Sequence, residues 1–207
     1  LEDPVEYHFD GIRQSQIQPE RGYTFAEGMK SVLRQDPDAI MIGEIRDQDT
    51  AGYAIEASLA GRAVFSSIHA NSTVGTIARL VDMNIERGLI AYAINGAISQ
   101  RLVKKICQSC KTDYAPPVEH LKMLEIEHEH IAYKIGAGCD ACEHTGYKGR
   151  TGIFEILEFD DEIRALIVEK ASIQEITEAA EKSGFRSLRD EAVRMIREGI
   201  ITPEEAI

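Results

Sequence analysis

The chain has 207 residues and a formal net charge of −12, from 35 acidic and 23 basic side chains. Hydrophobic residues make up 43% and charged residues 28%, a composition typical of folded globular proteins rather than disordered chains. The acidic balance repels phosphate backbones at long range and disfavours a general nucleic-acid binder. The sequence shows no signal-peptide pattern and no apolar segment long enough to span a bilayer, so we expect a cytoplasmic protein without direct membrane insertion.

The first hundred residues predict alternating strands and helices. Residues 1–23 predict short strands and turns, and the capping box Thr24–Glu27 begins a helix that ends at Asp36–Pro37. The apolar run Ala39–Ile42 predicts a strand buried on both faces. The next predicted elements are a helix over about 50–60, a strand over 63–68 and helices near 73–83 and 89–99. This alternation favours an α/β layer architecture.

Titratable side chains follow both predicted strands. Glu44 comes just after the end of the first strand, and His69 follows the second. Ligands of open parallel sheets bind at the carboxyl ends of the strands. A glutamate at that edge can orient or deprotonate a water molecule or hold the water shell of a magnesium ion, and a histidine can contact a terminal phosphate. Taken singly, each residue is more often an ordinary surface or loop side chain.

The four cysteines form two pairs, each with two residues between its members. They are Cys107 with Cys110 and Cys139 with Cys142. Each spacing lets two sulfurs point at one ion, and two such turns complete a tetrahedron around zinc. Four sulfurs leave no position open for water, which indicates a structural metal. The alternatives are buried free cysteines, one redox pair, or ligation by nearby histidines, namely His120, His128, His130 and His144.

The composition changes at Cys107, and the sequence predicts three parts. Residues 1–106 form an α/β core, residues 107–152 form a small loop-rich zinc subdomain, and residues 153–207 form a helical C-terminal subdomain. Capping boxes at Ser172–Glu175 and Thr202–Glu205 support helices in the last part.

Several motifs occur in a fixed order along the whole chain. They are Leu1–Glu6, Leu33–Asp47, Ile68–Asn71, Gln100–Val103, the paired cysteines and Gly146–Glu155. Together they resemble the acidic Asp box, the variant Walker B motif, the His box and the later motifs of the type II secretion and type IV pilus assembly ATPases, the GspE/PulE/PilB family. The resemblance covers essentially all 207 residues, and the joint pattern is highly specific.

This resemblance implies a partial RecA-like core of the P-loop NTPase class. It implies that Glu44 is the catalytic glutamate of Walker B, that His69 contacts or senses the γ-phosphate, and that Arg46 also contacts the nucleotide. The acidic side chains that it implies in handling magnesium and water are those of the Asp box: Glu2, Asp3 and Glu6.

The family also implies ligands and partners. Its secretion and pilus-extension members carry a four-cysteine zinc subdomain that retraction members generally lack, so secretion or extension is favoured. The resemblance implies structural Zn²⁺ at Cys107, Cys110, Cys139 and Cys142, and ATP with Mg²⁺ in the full-length protein. The implied partners are further copies in a hexamer and the inner-membrane platform and adaptor proteins that attach the cytoplasmic motor to the membrane.

Two features depart from the family pattern. The dipeptide Gly-Lys occurs nowhere, so the phosphate-binding loop is absent, and the chain begins with Leu1 in mid-motif, which suggests a fragment. The segment Asn71–Thr73 also differs from the family's usual Asn-Asp-Ala.

The missing phosphate-binding loop should strongly weaken ATP binding. Each charge-assisted phosphate contact is worth about 1.5–3 kcal/mol, so losing several of them should abolish useful affinity for ATP. We therefore expect the 207-residue chain alone neither to bind ATP tightly nor to hydrolyse it.

Two other functions compete with the motor ATPase. One is a non-enzymatic adaptor, stabilised by zinc, whose helical C-terminus binds a partner. The other is a zinc-ribbon nucleic-acid binder, which the acidic charge and the 6% aromatic content disfavour.

Overall fold

The computed structural model describes residues 1–128 and 130–207. These residues form two compact units. The first consists of Leu1–Ala97 and Leu157–Ser183, and the second consists of Ile98–Ile156 and Gly184–Ile207.

The units divide the chain differently from the predicted boundaries at residues 106 and 152. The helices after residue 160 do not share one body, because the first two belong to the first unit and the last belongs to the second. Whether the three predicted parts behave as separate domains stays a prediction.

The helices and strands, numbered in chain order, are α1 (Phe25–Leu33), β1 (Ala39–Ile45), α2 (Gln48–Leu59), β2 (Ala63–Ile68), α3 (Gly75–Asp82), α4 (Arg87–Ala93), β3 (Gly96–Ile106), β4 (Lys111–Asp113), α5 (Val118–Met123), β5 (Lys134–Gly136), β6 (Tyr147–Glu158), α6 (Asp161–Val168), α7 (Ile173–Lys182) and α8 (Leu188–Arg197). Short 3₁₀ helices cover Pro19–Arg21, Asp140–Cys142 and Pro203–Ala206. β1 pairs with β2, β3 with β6, and β4 with β5.

The core of the first unit lies between the parallel pair β1–β2 and the helices α1 and α2. α1 begins where the Thr24 hydroxyl accepts a hydrogen bond from the Glu27 N–H, and Phe25 and Met29, one helical turn apart, are both buried. The buried residues of this core are Leu1, Ile17, Phe25, Met29, Ile40, Ile42, Ala54 and Ala57.

Two expectations about β1 need correction. Its side chains alternate between buried Ile40 and Ile42 and exposed neighbours, and Met41 is 48% exposed, so the strand is not buried on both faces. The core cluster that contains Ile40 and Ile42 covers one face, with α1 and α2 as its helices. The strand also runs to Ile45, which places Glu44 within its last residues rather than after its end.

The predicted helix near 89–99 is wrong in its second half. α4 ends at Ala93, and residues from Gly96 onward form β3, which pairs with β6. A Cβ atom at Gly96 would lie 2.9 Å from the Leu157 carbonyl oxygen, so the two backbones meet closely at this point. Apolar periodicity alone did not reveal this long-range pairing, because short apolar runs suit a helix and a strand equally.

The second unit has its own core, which α8 covers. Its buried residues are Val103, Leu124, Ile126, Tyr133, Ile153, Ala192, Val193, Met195, Ile196 and Ile201. The last residues also pair within this unit, because Glu205 accepts hydrogen bonds from the backbone N–H and the Nζ of Lys104, at 2.8 and 3.1 Å.

The predicted helix-start signals have mixed outcomes. The capping box at Ser172–Glu175 is confirmed, since the Ser172 hydroxyl accepts the Glu175 N–H and the Glu175 carboxylate accepts the Ser172 N–H. Thr202 makes no capping hydrogen bond through its side chain, and only a 3₁₀ helix follows it. Among the described residues, no helix combines the length and apolar character needed to cross a membrane.

Because only one face of β1 is buried, we expect the loss of Met29 of α1 and the loss of Met41 of β1 to have very different effects on stability. Replacing Met29, which is fully buried, with Ala should lower the free energy of unfolding of the 207-residue chain by about 2–5 kcal/mol, because it leaves a cavity. Met41→Ala removes the same atoms from an exposed position and should change it by less than about 0.5 kcal/mol. Urea unfolding followed by circular dichroism measures both; equal losses would contradict this packing.

Candidate functional site

A bulge in β1 sets the position of Glu44. Ile42 lies opposite Ser66 and Glu44 lies opposite Ser67, so Gly43 is an extra residue in the register. The Gly43 N–H donates to the Leu1 carbonyl at 2.8 Å, and the Ser67 hydroxyl donates to the Gly43 carbonyl at 2.6 Å. The bulge is therefore held from both sides of the strand.

Two basic side chains face the Glu44 carboxylate. Arg46 forms an ion pair with its Oε1, and His69 Nε2 lies 3.3 Å from its Oε2. The hydrogen bond from Arg46 is the main cause that holds the pKa of Glu44 below its ordinary value, although partial burial opposes it. Oε2 is buried and has no well-aligned hydrogen-bond donor among the described residues, so it can still accept a proton or a hydrogen bond.

The opening segment lies against the other edge of β1. The Leu1 amino group donates to the Met41 carbonyl at 2.8 Å, which continues the hydrogen bonding of the strand. Glu2 then bridges to Gln16, as two parallel strands do. A cavity of ≈ 330 Å³ opens beside these residues, and its acidic lining residues are Glu2, Asp3, Glu6 and Glu44.

The structure thus brings together the side chains that the sequence analysis selected at this edge of the sheet. Glu2, Asp3 and Glu6 share one cavity with Glu44, and Arg46 and His69 contact Glu44 itself.

Two polar residues contact this site that the sequence analysis did not select. Ser67 was noted only as part of the strand before His69, and Gln14 was not noted at all. Gln14 Nε2 donates to Glu2 Oε1 at 2.7 Å. The signal that could have identified Gln14 is the repetition of glutamine at alternate positions 14, 16 and 18, which is typical of one face of an extended segment.

The four cysteines form the second candidate site, in the second unit. Their sulfurs all lie within 4.8 Å of one another. The separations are 3.9 Å for Cys107–Cys139, 3.9 Å for Cys110–Cys142 and 3.8 Å for Cys139–Cys142. Tetrahedral ligands at a Zn–S distance of about 2.3 Å are separated by about 3.8 Å, so the arrangement fits a four-sulfur metal site.

Two glycines allow the cysteine pairs to approach. A Cβ atom on Gly136 would lie 2.0 Å from the Gly146 carbonyl oxygen, and one on Gly146, whose φ is +77°, would lie 2.4 Å from the Gly136 carbonyl oxygen. No side chain fits there. The Gly146 carbonyl also accepts the Cys107 N–H at 2.9 Å, which links the segments that carry the two pairs.

The surroundings of Cys142 favour a thiolate. Burial acts to raise the pKa of its thiol, but the backbone N–H groups of Cys139 and Gly146, at 3.2 and 3.3 Å, outweigh burial and lower the pKa to about 6. Thiolates are the form that ligates metals. Within residues 1–128 and 130–207 no histidine joins the four sulfurs, and His144 instead lies 3.3 Å from Asp140.

Comparisons with known proteins identify the family of the chain. A family model described as "Type II/IV secretion system protein" matches residues 1–207. The type II secretion system protein E of Pseudomonas aeruginosa is 44% identical over 208 residues, covering 100% of this chain and 41% of the relative. The type IV pilus assembly ATPase PilB of Thermus thermophilus is 44% identical over 211 residues, covering 100% of this chain and 24% of the relative.

The chain therefore spans less than half the length of these curated relatives. The comparisons confirm the resemblance that the sequence motifs indicated.

Solved structures show the same α/β ATPase fold. The crystal structure of the pilus retraction motor PilT with bound ADP matches with a TM-score of 0.71 and 26% identity, covering 100% of this chain and 50% of PilT. The Legionella pneumophila ATPase DotB matches with a TM-score of 0.65 and 25% identity, covering 99% of this chain and 48% of DotB.

The ion pair at Glu44 predicts a shift in titration when Arg46 is removed. In Arg46→Gln the pKa of Glu44 should rise toward its ordinary value of 4.5, because the main stabilising hydrogen bond is lost. Carbon-13 NMR titration of the side-chain carboxyl in the 207-residue chain measures this. Arg62→Gln, which removes one positive charge from the exposed pair with Asp36, should leave Glu44 unchanged.

The sign of the pH effect on stability follows from the same shift. The pKa of Glu44 is lower in the folded chain than in the unfolded chain. The ion pair between Glu44 and Arg46 therefore stabilises the fold at pH values above the pKa of Glu44 in the unfolded chain. This stabilisation is lost as the pH falls through the lower pKa of Glu44 in the folded chain. An identical Glu44 titration in the parent and in Arg46→Gln would contradict the assigned contact.

Proposed function

The chain belongs to the family of type II/IV secretion system proteins, and from this membership we propose that it supplies the water-activating side of a nucleotide site to a motor ATPase. In the full-length protein this site is completed by a phosphate-binding loop, and the α/β core is of the RecA-like class. The motor hydrolyses ATP to drive assembly of pilins or pseudopilins. The convergence of Glu44, His69 and the acidic opening segment at one end of β1 supports this function most directly.

Each side chain has a proposed task in hydrolysis. Glu44 orients the attacking water and accepts its proton at Oε2, which lacks a well-aligned donor. His69 is 86% exposed at its side chain and can turn from Glu44 toward a terminal phosphate oxygen. Arg46, also exposed, can move its guanidinium from Glu44 to a phosphate.

The opening segment suits a hard cation. Magnesium prefers carboxylate and water oxygens, and Glu2, Asp3 and Glu6 line the cavity beside Glu44. Bound magnesium would offset the negative charge of the phosphoryl group. The three carboxylates would orient the water molecules of its shell and keep them next to Glu44.

The cysteine cluster is proposed to hold one structural zinc ion. Three sulfur separations of 3.8–3.9 Å, with all four sulfurs within 4.8 Å of one another, support zinc. All four ligands would come from the protein, so no position would be open for water and the metal would take no part in hydrolysis. Its task is to hold together the loops that carry the two cysteine pairs.

We infer the cellular role of the motor from the names of the relatives. They are named for type II secretion and type IV pilus assembly, so we favour secretion or pilus extension over retraction. We propose a hexameric ring in the cytoplasm that reaches the inner membrane through platform and adaptor proteins, without direct insertion or nucleic-acid binding. The alternative of a non-enzymatic zinc adaptor is not favoured, because relatives that match the whole chain are named ATPases.

Zinc content provides one test. Protein purified without chelator or acid should contain about one zinc ion per chain by metal analysis. Cys139→Ser should lose the metal and unfold at a lower temperature, because three sulfurs and a hydroxyl bind zinc less well. His144→Ala, a neighbouring change outside the sulfur cluster, should retain it. Parent protein with well below half an equivalent would argue against the site.

Hydrolysis provides the test of the motor function. In the full-length protein Glu44→Gln should lower the ATPase rate about 10²–10⁴-fold, because an amide cannot take a proton from water. Glu56→Gln, an equivalent change at an exposed position of α2, should leave the rate unchanged.

The 207-residue chain alone should show neither tight ATP binding nor turnover, since it contains no phosphate-binding loop. Steady turnover by this chain that Glu44→Gln abolishes would overturn the division of the site proposed above.

A further inference from the structure

The side-chain amide of Gln14 makes three hydrogen bonds at the acidic end of the first unit. Nε2 donates to Glu2 Oε1 at 2.7 Å and to the Tyr7 carbonyl at 2.8 Å. Oε1 accepts the Phe9 N–H at 2.9 Å. Both amide hydrogens and one oxygen lone pair are used, so this network fixes which way the amide faces.

These bonds join the Glu2 carboxylate to the far side of the loop. Glu2, Tyr7 and Phe9 all line the cavity that Glu44 also lines. Tyr7 and Phe9 are 71% and 57% exposed, so burial of their rings does not determine the course of the loop. Hydrogen bonds of the Gln14 side chain with the Phe9 N–H and the Tyr7 carbonyl help to hold this part of the loop beside the cavity.

The backbone that carries Gln14 is itself held in place. The Glu2 N–H donates to the Ser15 carbonyl at 3.0 Å, and the Ile17 N–H donates to the Glu2 carbonyl at 2.9 Å. Ile17 is buried in the core of the first unit. Gln14 therefore extends from a fixed segment toward an exposed loop.

A second glutamine offers a comparison. Gln16 Oε1 accepts the Val5 N–H at 3.3 Å, so it supports the same loop without contacting the Glu2 side chain. Replacing Gln14 should therefore disturb the Glu2 carboxylate, whereas replacing Gln16 should not.

We propose that Gln14 is a positioning residue, which aims the Glu2 carboxylate into the cavity and holds the loop at residues 7–9 around it; this rests on the proposed function. A neutral amide donor leaves the negative charge of Glu2 in place, whereas a lysine or arginine would neutralise it. The bond from Gln14 goes to Glu2 Oε1, so Oε2 could accept a hydrogen bond from a water of bound magnesium. Gln14 thus acts on hydrolysis through the metal rather than through the nucleotide.

The test compares methionine substitutions, which keep the length of the side chain and remove its hydrogen bonds. In the full-length protein, Gln14→Met should raise the Mg²⁺ concentration that half-saturates nucleotide binding roughly threefold to tenfold, the effect expected when the net contribution of one typical hydrogen bond is lost. Gln16→Met should change it less, and Gln18→Met should leave it unchanged. Binding of the nucleotide at saturating Mg²⁺ should be the same in all four proteins.

A double-mutant cycle separates positioning of Glu2 from general support of the loop. If Gln14 acts through Glu2, Gln14→Met should have no further effect on the Mg²⁺ requirement when Glu2 is already Gln. An unchanged Mg²⁺ requirement in Gln14→Met, or the same increase in the Glu2→Gln background, would overturn the proposal.

A measurement on the 207-residue chain keeps this proposal distinct from the motor function. Gln14→Met should speed hydrogen exchange of the Phe9 amide, while Gln18→Met should not, whether or not the full-length protein hydrolyses ATP. If the full-length protein shows no Mg²⁺-dependent nucleotide binding, the proposed function fails. If the Phe9 amide exchanges equally in the parent and in Gln14→Met, the Gln14 contact fails.

Discussion

The register between β1 and β2 is the constraint on which the carboxylate site at the end of β1 depends. Because side chains alternate along a strand, the single extra residue at Gly43 moves every side chain after it to the other face. Glu44 thereby lies beside His69, although 24 residues of helix and strand separate them in sequence. The Leu1 carbonyl and the Ser67 hydroxyl hold the bulge at its N–H and its carbonyl. The opening segment, which brings the other carboxylates, therefore also supports the position of Glu44.

Most of the negative charge of the chain lies in the unit that contains the carboxylate site. The acidic excess of the chain lies almost wholly in the first unit, whereas the second is close to balanced. A nucleotide is itself anionic, so an acidic site needs cations. Arg46 supplies part of that charge at Glu44. In the function proposed above, the remaining positive charge is supplied by magnesium and by a phosphate-binding loop.

The cysteine site depends on a different kind of constraint. Its sulfurs are brought together by close backbone approach, at Gly136 and Gly146, where any side chain would collide. Backbone N–H groups directed at Cys142 favour its thiolate before any ion is considered. The cysteine cluster and the carboxylate site thus belong to separate units, and each is organised by contacts of its own.

The sequence by itself determined the family and the α/β character, because a fixed order of motifs can be recognised without coordinates. It also predicted the cysteine ligands and the residues of the carboxylate site, and the structure places the members of each set close together. Helix starts such as Ser172–Glu175 could also be predicted from the sequence, since the capping residues lie within one helical turn of each other. Only the tertiary structure showed that residues 96–99 belong to a strand, that the C-terminal helices divide between two units, and that Gln14 contacts Glu2. Each of these depends on a partner far away in sequence or across a loop, and periodicity within one segment carries no information about which partner that segment meets.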